Sequence, residues 1–137
     1  TRHSTLFPYT TLFRSRRMHG VMNTTGRNNA RQMRHRHHNP AFMNPLDLAA
    51  LGLSDGDTIR IASRYGEIPA IVEAEDGIRR GVISMSHCFG GTDPDSPSDV
   101  REAGANTGLL ASVEHEYDPY SGIPRMSAIP VRIGKGG

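Results

Sequence analysis

Beyond Thr58 the apolar residues recur with a period of two, in short runs broken by turn residues, and this pattern confines the chain to a fold of paired strands. In Thr58–Ser63 the residues Ile59, Ile61 and Ser63 share one side while Thr58, Arg60 and Ala62 share the other. Alternation of this kind marks a half-buried strand. After Arg64-Tyr65-Gly66 the run Ile68-Pro69-Ala70-Ile71-Val72-Glu73-Ala74 continues it, so the two segments predict a hairpin. Pro69 has no N–H to give a ladder and puts an edge or a bulge in the second strand. A turn at Asp76-Gly77 leads to a third run, Gly81–Ser86, and Ile129, Val131 and Ile133 mark a last one.

One helix is announced clearly. Asn44 is a good N-cap, Pro45 fits the first helical position, Leu46, Leu48, Ala49, Ala50 and Leu51 supply an apolar face, and Gly52 supplies the stop. From Arg16 to Asn39 few apolar anchors occur, and Gly20, Gly26 and Asn28-Asn29 punctuate the segment, which predicts a short strand around Met18–Met22 and then a long irregular loop. Residues 26–38 are expected to be mobile when no ligand is present. Residues 90–104 read as a surface loop, Asn106–Ser112 as either a short helix or an extended element, and Asp118–Pro124 as dense in turns. The sum is a mainly-β domain, a small closed barrel with one short helix near 45–51 and long loops.

Composition agrees. The 137 residues suffice for one domain, and 6% aromatic residues with 15 Gly, 9 Pro and no Trp suit short strands and turns better than a helical bundle. No apolar run approaches the roughly 18 residues of a membrane span, and no apolar stretch follows the first arginines as a secretory signal requires. Cys88 stands alone, so the fold carries no internal disulfide. These features predict a soluble chain, with the cytoplasm as the favoured compartment.

The net charge of +2 conceals an asymmetry: all 14 acidic residues lie at Asp47 or later, whereas eight of the 15 arginines lie at or before Arg36. Guanidinium forks suit phosphates and other oxyanions, so the basic arm predicts an anionic partner.

The first residues need separate treatment. Residues 5–15, Thr-Leu-Phe-Pro-Tyr-Thr-Thr-Leu-Phe-Arg-Ser, resemble the translation of a common sequencing adapter. Residues 1–15 are therefore expected to lie outside the fold as a non-native segment, with the domain spanning 16–133 and a tail at 134–137.

Six separated blocks resemble, in order, the C-terminal molybdopterin dinucleotide-binding domain of molybdopterin-dependent oxidoreductases in the dimethyl sulfoxide reductase-like superfamily. They are Arg16-Arg17 with Asn23, Asn39–Ala49, Leu51–Asp57, Gly81–Gly90, Gly104–Thr107 and Asp118–Pro124. The resemblance implies a double-psi β-barrel that binds molybdopterin guanine dinucleotide with Mo or W, jointly with preceding domains of the same parent chain. It further implies Arg16, Arg17, His19, Asn23 and Thr24 in a first cofactor-facing loop, Asn106 and Thr107 in a second, and His87 at the mouth of a strand. An iron–sulfur electron-transfer partner belongs to the same picture. The fragment itself is expected to carry no catalytic residue and no metal ligand, and not to turn over alone. Two departures stand out: Cys88 and Phe89 replace the usual Gly and Trp, and Gly108 stands where a second Asn is common.

Other readings carry less weight. His35, His37 and His38 lack a fixed metal-site spacing and acidic or cysteine neighbours. His87 and Cys88, adjacent on a strand, point to opposite faces and make a poor nucleophile pair. Asp93, Asp95 and Asp99 lack the spacing and terminal Glu of a calcium loop. A free-standing double-psi barrel that binds nucleic acid or regulates through its basic arm is the alternative function. No aromatics interleave with the arginines of 16–36 to stack on bases, which makes nucleic acid the weaker partner.

Overall fold

The computed structural model describes residues 11–34, 36–91 and 99–136. Six strands form a closed barrel: β1 (Thr11–Arg16), β2 (Ala41–Met43), β3 (Thr58–Ala62), β4 (Glu67–Ala74), β5 (Val82–Ser86) and β6 (Ser127–Lys135). Their order around the barrel is β1-β5-β2-β4-β3-β6. The β1–β5 and β2–β4 pairs are parallel; the β1–β6, β2–β5, β3–β4 and β3–β6 pairs are antiparallel. This is the mainly-β barrel that the alternating runs and the family resemblance imply, and closure leaves no open sheet edge.

The hairpin of β3 and β4 forms with Thr58 opposite Ile71 and Ala62 opposite Glu67. At its turn the Ser63 N–H donates to the Gly66 carbonyl. Counting back from that bonded pair, Arg60 and Pro69 face each other as a non-bonded pair, so the missing N–H of Pro69 points away from β3. On that other side β2 pairs only with Val72–Ala74. Pro69 therefore sits where no ladder bond is lost.

The barrel interior takes one residue in two from each strand. Phe13, Ala41, Met43, Ile59, Ile61, Ile68, Ala70, Val72, Ile83, Met85, Ile129, Val131 and Ile133 make one buried cluster with Leu48, Leu53, Ala105 and Leu110. The short helix α2 (Pro45–Ala50) is capped as its sequence requires. Asn44 Oδ1 accepts from the Leu46 N–H at 2.9 Å, and its amide donates to the Ile78 carbonyl at 2.9 Å. Gly52 takes φ 63° just past the helix end.

Several boundaries differ from the sequence reading. Residues 11–15 lie inside the fold: Thr11–Arg16 is a barrel strand held between β5 and β6, and Phe13 is fully buried. Phe13 points inward while Leu12 and Arg14 on either side face out, and a barrel with a free slot beside β5 takes such a strand. Phe7 and Tyr9 fall outside the described residues. The short strand expected at Met18–Met22 is absent; Gly20 adopts φ 81° in a turn, and only an isolated bridge joins Met22 to Thr25. The loop that follows contains a helical turn, α1 (Ala30–Met33), with Asn29 as N-cap and Met33 buried. A further turn of helix, α3 (Val100–Ala103), lies in the expected 90–104 loop, and a 3-10 turn spans Thr107–Leu110. At the C-terminus β6 runs through Gly134 and Lys135, which face Arg60 and Ile59, so the tail starts later than 134.

Candidate functional site

Because β1 and β5 run parallel with Arg16 beside Ser86, both strands deliver the loops that follow them to the same rim of the barrel. Residues 17–29 leave β1 there and residues 87–91 leave β5. One buried side chain pins this rim from below. Asn39 donates to the Ser86 carbonyl at 2.6 Å and the Ala105 carbonyl at 2.9 Å, and accepts from the Ala105 N–H at 2.8 Å. The 104–107 segment is thereby drawn to the end of β5. Packing is close: a Cβ on Gly104 would lie 2.4 Å from Asn39 Oδ1, and one on Gly90 would lie 2.5 Å from the Asn106 backbone nitrogen.

Two contacts strap the first loop over the second. His87 Nε2 lies 2.9 Å from Asn23 Oδ1. Arg27 donates to the Cys88 carbonyl and its guanidinium stands 5.6 Å from the Phe89 ring centroid. Nδ1 of His87 is shielded from solvent and has no hydrogen-bond partner among the described residues. An imidazole nitrogen left without a partner in such a place suits a ligand group that completes it.

Beside the strap lies a cavity of about 490 Å³ whose walls include Arg16, Arg17, His19, Arg31, Arg34 and Arg36. Its arginines are of two kinds. Arg16 donates to Glu75 at 2.7 Å and lies 4.5 Å from the Phe42 ring centroid; Arg36 donates to both oxygens of Glu73, at 2.9 and 3.3 Å. Arg17, Arg31 and Arg34 have no side-chain partner among the described residues. Close by, His38 is held below the ordinary histidine pKa, first by burial and then by the Arg36 charge.

The structure thus brings Arg16, Arg17 and His19 into one cavity, and Asn23 and His87 into contact with each other between the two loops, neither lining that cavity. Thr24 lines a shallow groove with Gly26, Asn29 and Arg31 on the outer side of the same loop. Asn106 accepts from the Gly108 N–H at 3.0 Å as the cap of its turn, and Thr107 is buried. Neither of these two lines the arginine cavity. The sequence reading missed Arg31, Arg34, Arg36 and Phe42, and the pin Asn39; a pairable Arg36 and an apolar Phe42 at the opening of a strand carry no signal without their neighbours. Among the described residues no three His, Cys, Asp or Glu side chains cluster as a metal site would need. His35, Asp93 and Asp95 lie outside the described residues.

Barrel and rim together define a class: a small closed β-barrel with a basic, arginine-lined cavity at one rim. The chain belongs to the Molydopterin dinucleotide binding domain family, which it matches over residues 11–130. It is 40% identical over 67 residues to the dimethyl sulfoxide/trimethylamine N-oxide reductase of Rhodobacter capsulatus, covering 49% of this chain and 8% of that protein. It is also 33% identical over 81 residues to a tetrathionate reductase subunit of Salmonella typhimurium, covering 59% of this chain and 7% of the relative. Among solved structures it superimposes on acetylene hydratase from Pelobacter acetylenicus with a TM-score of 0.76 at 16% identity, over 93% of this chain and 18% of that one. The chain therefore spans less than a tenth of the length of the curated relatives it matches. No helix among the described residues is long and apolar enough to cross a membrane.

Proposed function

We propose that this chain holds one side of molybdopterin guanine dinucleotide, carrying Mo or W, within a multi-domain oxidoreductase. The observation that carries the proposal is the arginine-lined cavity at the rim where β1 and β5 end, in a chain of a dinucleotide-binding family. The residues present suit such a group. Guanidiniums match its phosphates, and His87 offers a shielded nitrogen with no partner among the described residues. In this reading Arg16, Arg17, His19, Asn23, Thr24 and His87 form the first contact surface. Asn106, whose amide NH₂ has no partner among the described residues, forms the second, with the buried Thr107 next to it in the chain.

When bound, the group supplies two-electron redox chemistry at its metal, while the chain orients it and balances its charge. The parent enzyme's metal ligand, substrate pocket and iron–sulfur partner are assigned to other parts of the assembly; Cys88 is the chain's one cysteine, and a cluster needs several thiolates. The test is calorimetric titration of the chain with GDP, the nucleotide half of the cofactor, beside a random-sequence oligonucleotide. Saturable binding of GDP with none of the oligonucleotide supports the proposal. Salt-sensitive oligonucleotide binding without GDP binding replaces it with a nucleic-acid module.

A further inference from the structure

We infer that Arg17, Arg31 and Arg34 are the guanidiniums that meet the diphosphate of the dinucleotide, and that Arg16 and Arg36 instead set the cavity wall. The inference rests on the cofactor reading above and assigns it to particular side chains.

All five arginines line one cavity, but their electrostatic situations differ. Arg16 is committed to Glu75 and Arg36 to Glu73. Were either to turn to a phosphate, it would leave a carboxylate uncompensated beside an anionic ligand, so the exchange gains little. Arg17, Arg31 and Arg34 lose no such pair, and each charge-assisted bond they form is new. Setting five guanidiniums against two carboxylates leaves three unbalanced positive charges facing the cavity, apart from His19. A diphosphate bridging two nucleoside-like halves brings two negative charges, which this excess accommodates.

The element carrying Arg31 and Arg34 is built to hold them in place. Asn29 Oδ1 accepts from the Arg31 and Gln32 N–H groups at 3.1 and 3.2 Å, and Met33 is buried beneath the turn. Glycines let the preceding loop close on it: a Cβ on Gly20 would stand 2.5 Å from the Gln32 carbonyl oxygen, and one on Gly26 would stand 2.9 Å from Gln32 Oε1. Arg34 ends the turn at φ 50°, its N–H donating back to the Arg31 carbonyl. A residue in this left-handed conformation is an unusual place for an arginine and is easily supplied by Gly or Asn.

The experiment is titration of the full chain and its variants with GDP and with inorganic pyrophosphate. Arg31→Gln preserves the helical turn and Arg34→Asn tolerates the left-handed backbone, so both remove charge with little strain. Each is expected to weaken both probes about tenfold, while Arg31→Lys keeps most of the affinity. Arg60→Gln, an equal change of charge on the β3–β4 hairpin, is expected to stay within about twofold. If the wild-type chain binds GDP and both variants bind it as tightly, the assignment is overturned while the cofactor reading stands. A loss seen with GDP but not with pyrophosphate overturns it equally, because the arginines would then be reading the nucleoside. Failure of the wild-type chain to bind either probe overturns the assignment and the cofactor reading together.

Discussion

At the scale of single residues, the rim of the barrel is held by a few side chains in demanding positions. Cys88 occupies φ 70°, a conformation that suits glycine. That accounts physically for the glycine usual at this place in the family that the sequence resembles. Cys88→Gly is expected to stabilise the fold by about 0.5–1 kcal/mol, read as a higher urea midpoint. Asn39 is the opposite case, a buried amide with both N–H groups and its oxygen engaged. Asn39→Ala leaves the Ser86 and Ala105 backbone groups without that partner and is expected to cost about 2–4 kcal/mol. Equilibrium denaturation measures it, and a loss under about 0.5 kcal/mol would show that water replaces the amide.

At the scale of elements, β1 decides whether the barrel closes, since it is the strand between β5 and β6. Its hold is concentrated in Phe13, which is fully buried, while Leu12 is 41% exposed. Phe13→Ala is expected to cost about 3–5 kcal/mol and Leu12→Ala under about 1 kcal/mol. Equal effects would mean that the segment is not seated as a strand. Thr11–Arg16 carries no alternation of its own, since Leu12 and Phe13 are both apolar, and it becomes a strand only where β5 and β6 offer it a slot. Helix α2 shows the reverse. Its cap, proline and stop are all local, and the sequence located it within a residue.

At the scale of the whole molecule, the segment 36–39 ties the basic loop to the barrel, and one of its groups makes stability depend on pH. His38 titrates below the ordinary value of 6.5, chiefly because it is partly buried and secondly because Arg36 is near. A histidine depressed in the fold binds fewer protons than in the unfolded chain. Its neutral form therefore supports the fold fully above about pH 6.5, and that support is lost as pH falls from there towards the depressed value. Urea midpoints between pH 7.5 and 5 are expected to fall on acidification, and His38→Gln is expected to flatten the slope. The cavity depends on the same long-range arrangement. Arg16 meets a glutamate 59 positions away and Arg36 one 37 positions away. From the sequence alone every arginine in the arm is an equal candidate for phosphate, and resemblance could single out Arg16, Arg17 and His19 but not Arg31 or Arg34. What the sequence determined by itself is whatever is encoded over a few neighbouring residues: the 58–74 hairpin, the capped helix, the β5 strand and the ordered family blocks. What only the tertiary structure decided is the closing strand and the division of the arginines into paired and free. Both depend on which distant groups are brought within hydrogen-bonding or packing distance, and period and capping carry no record of that.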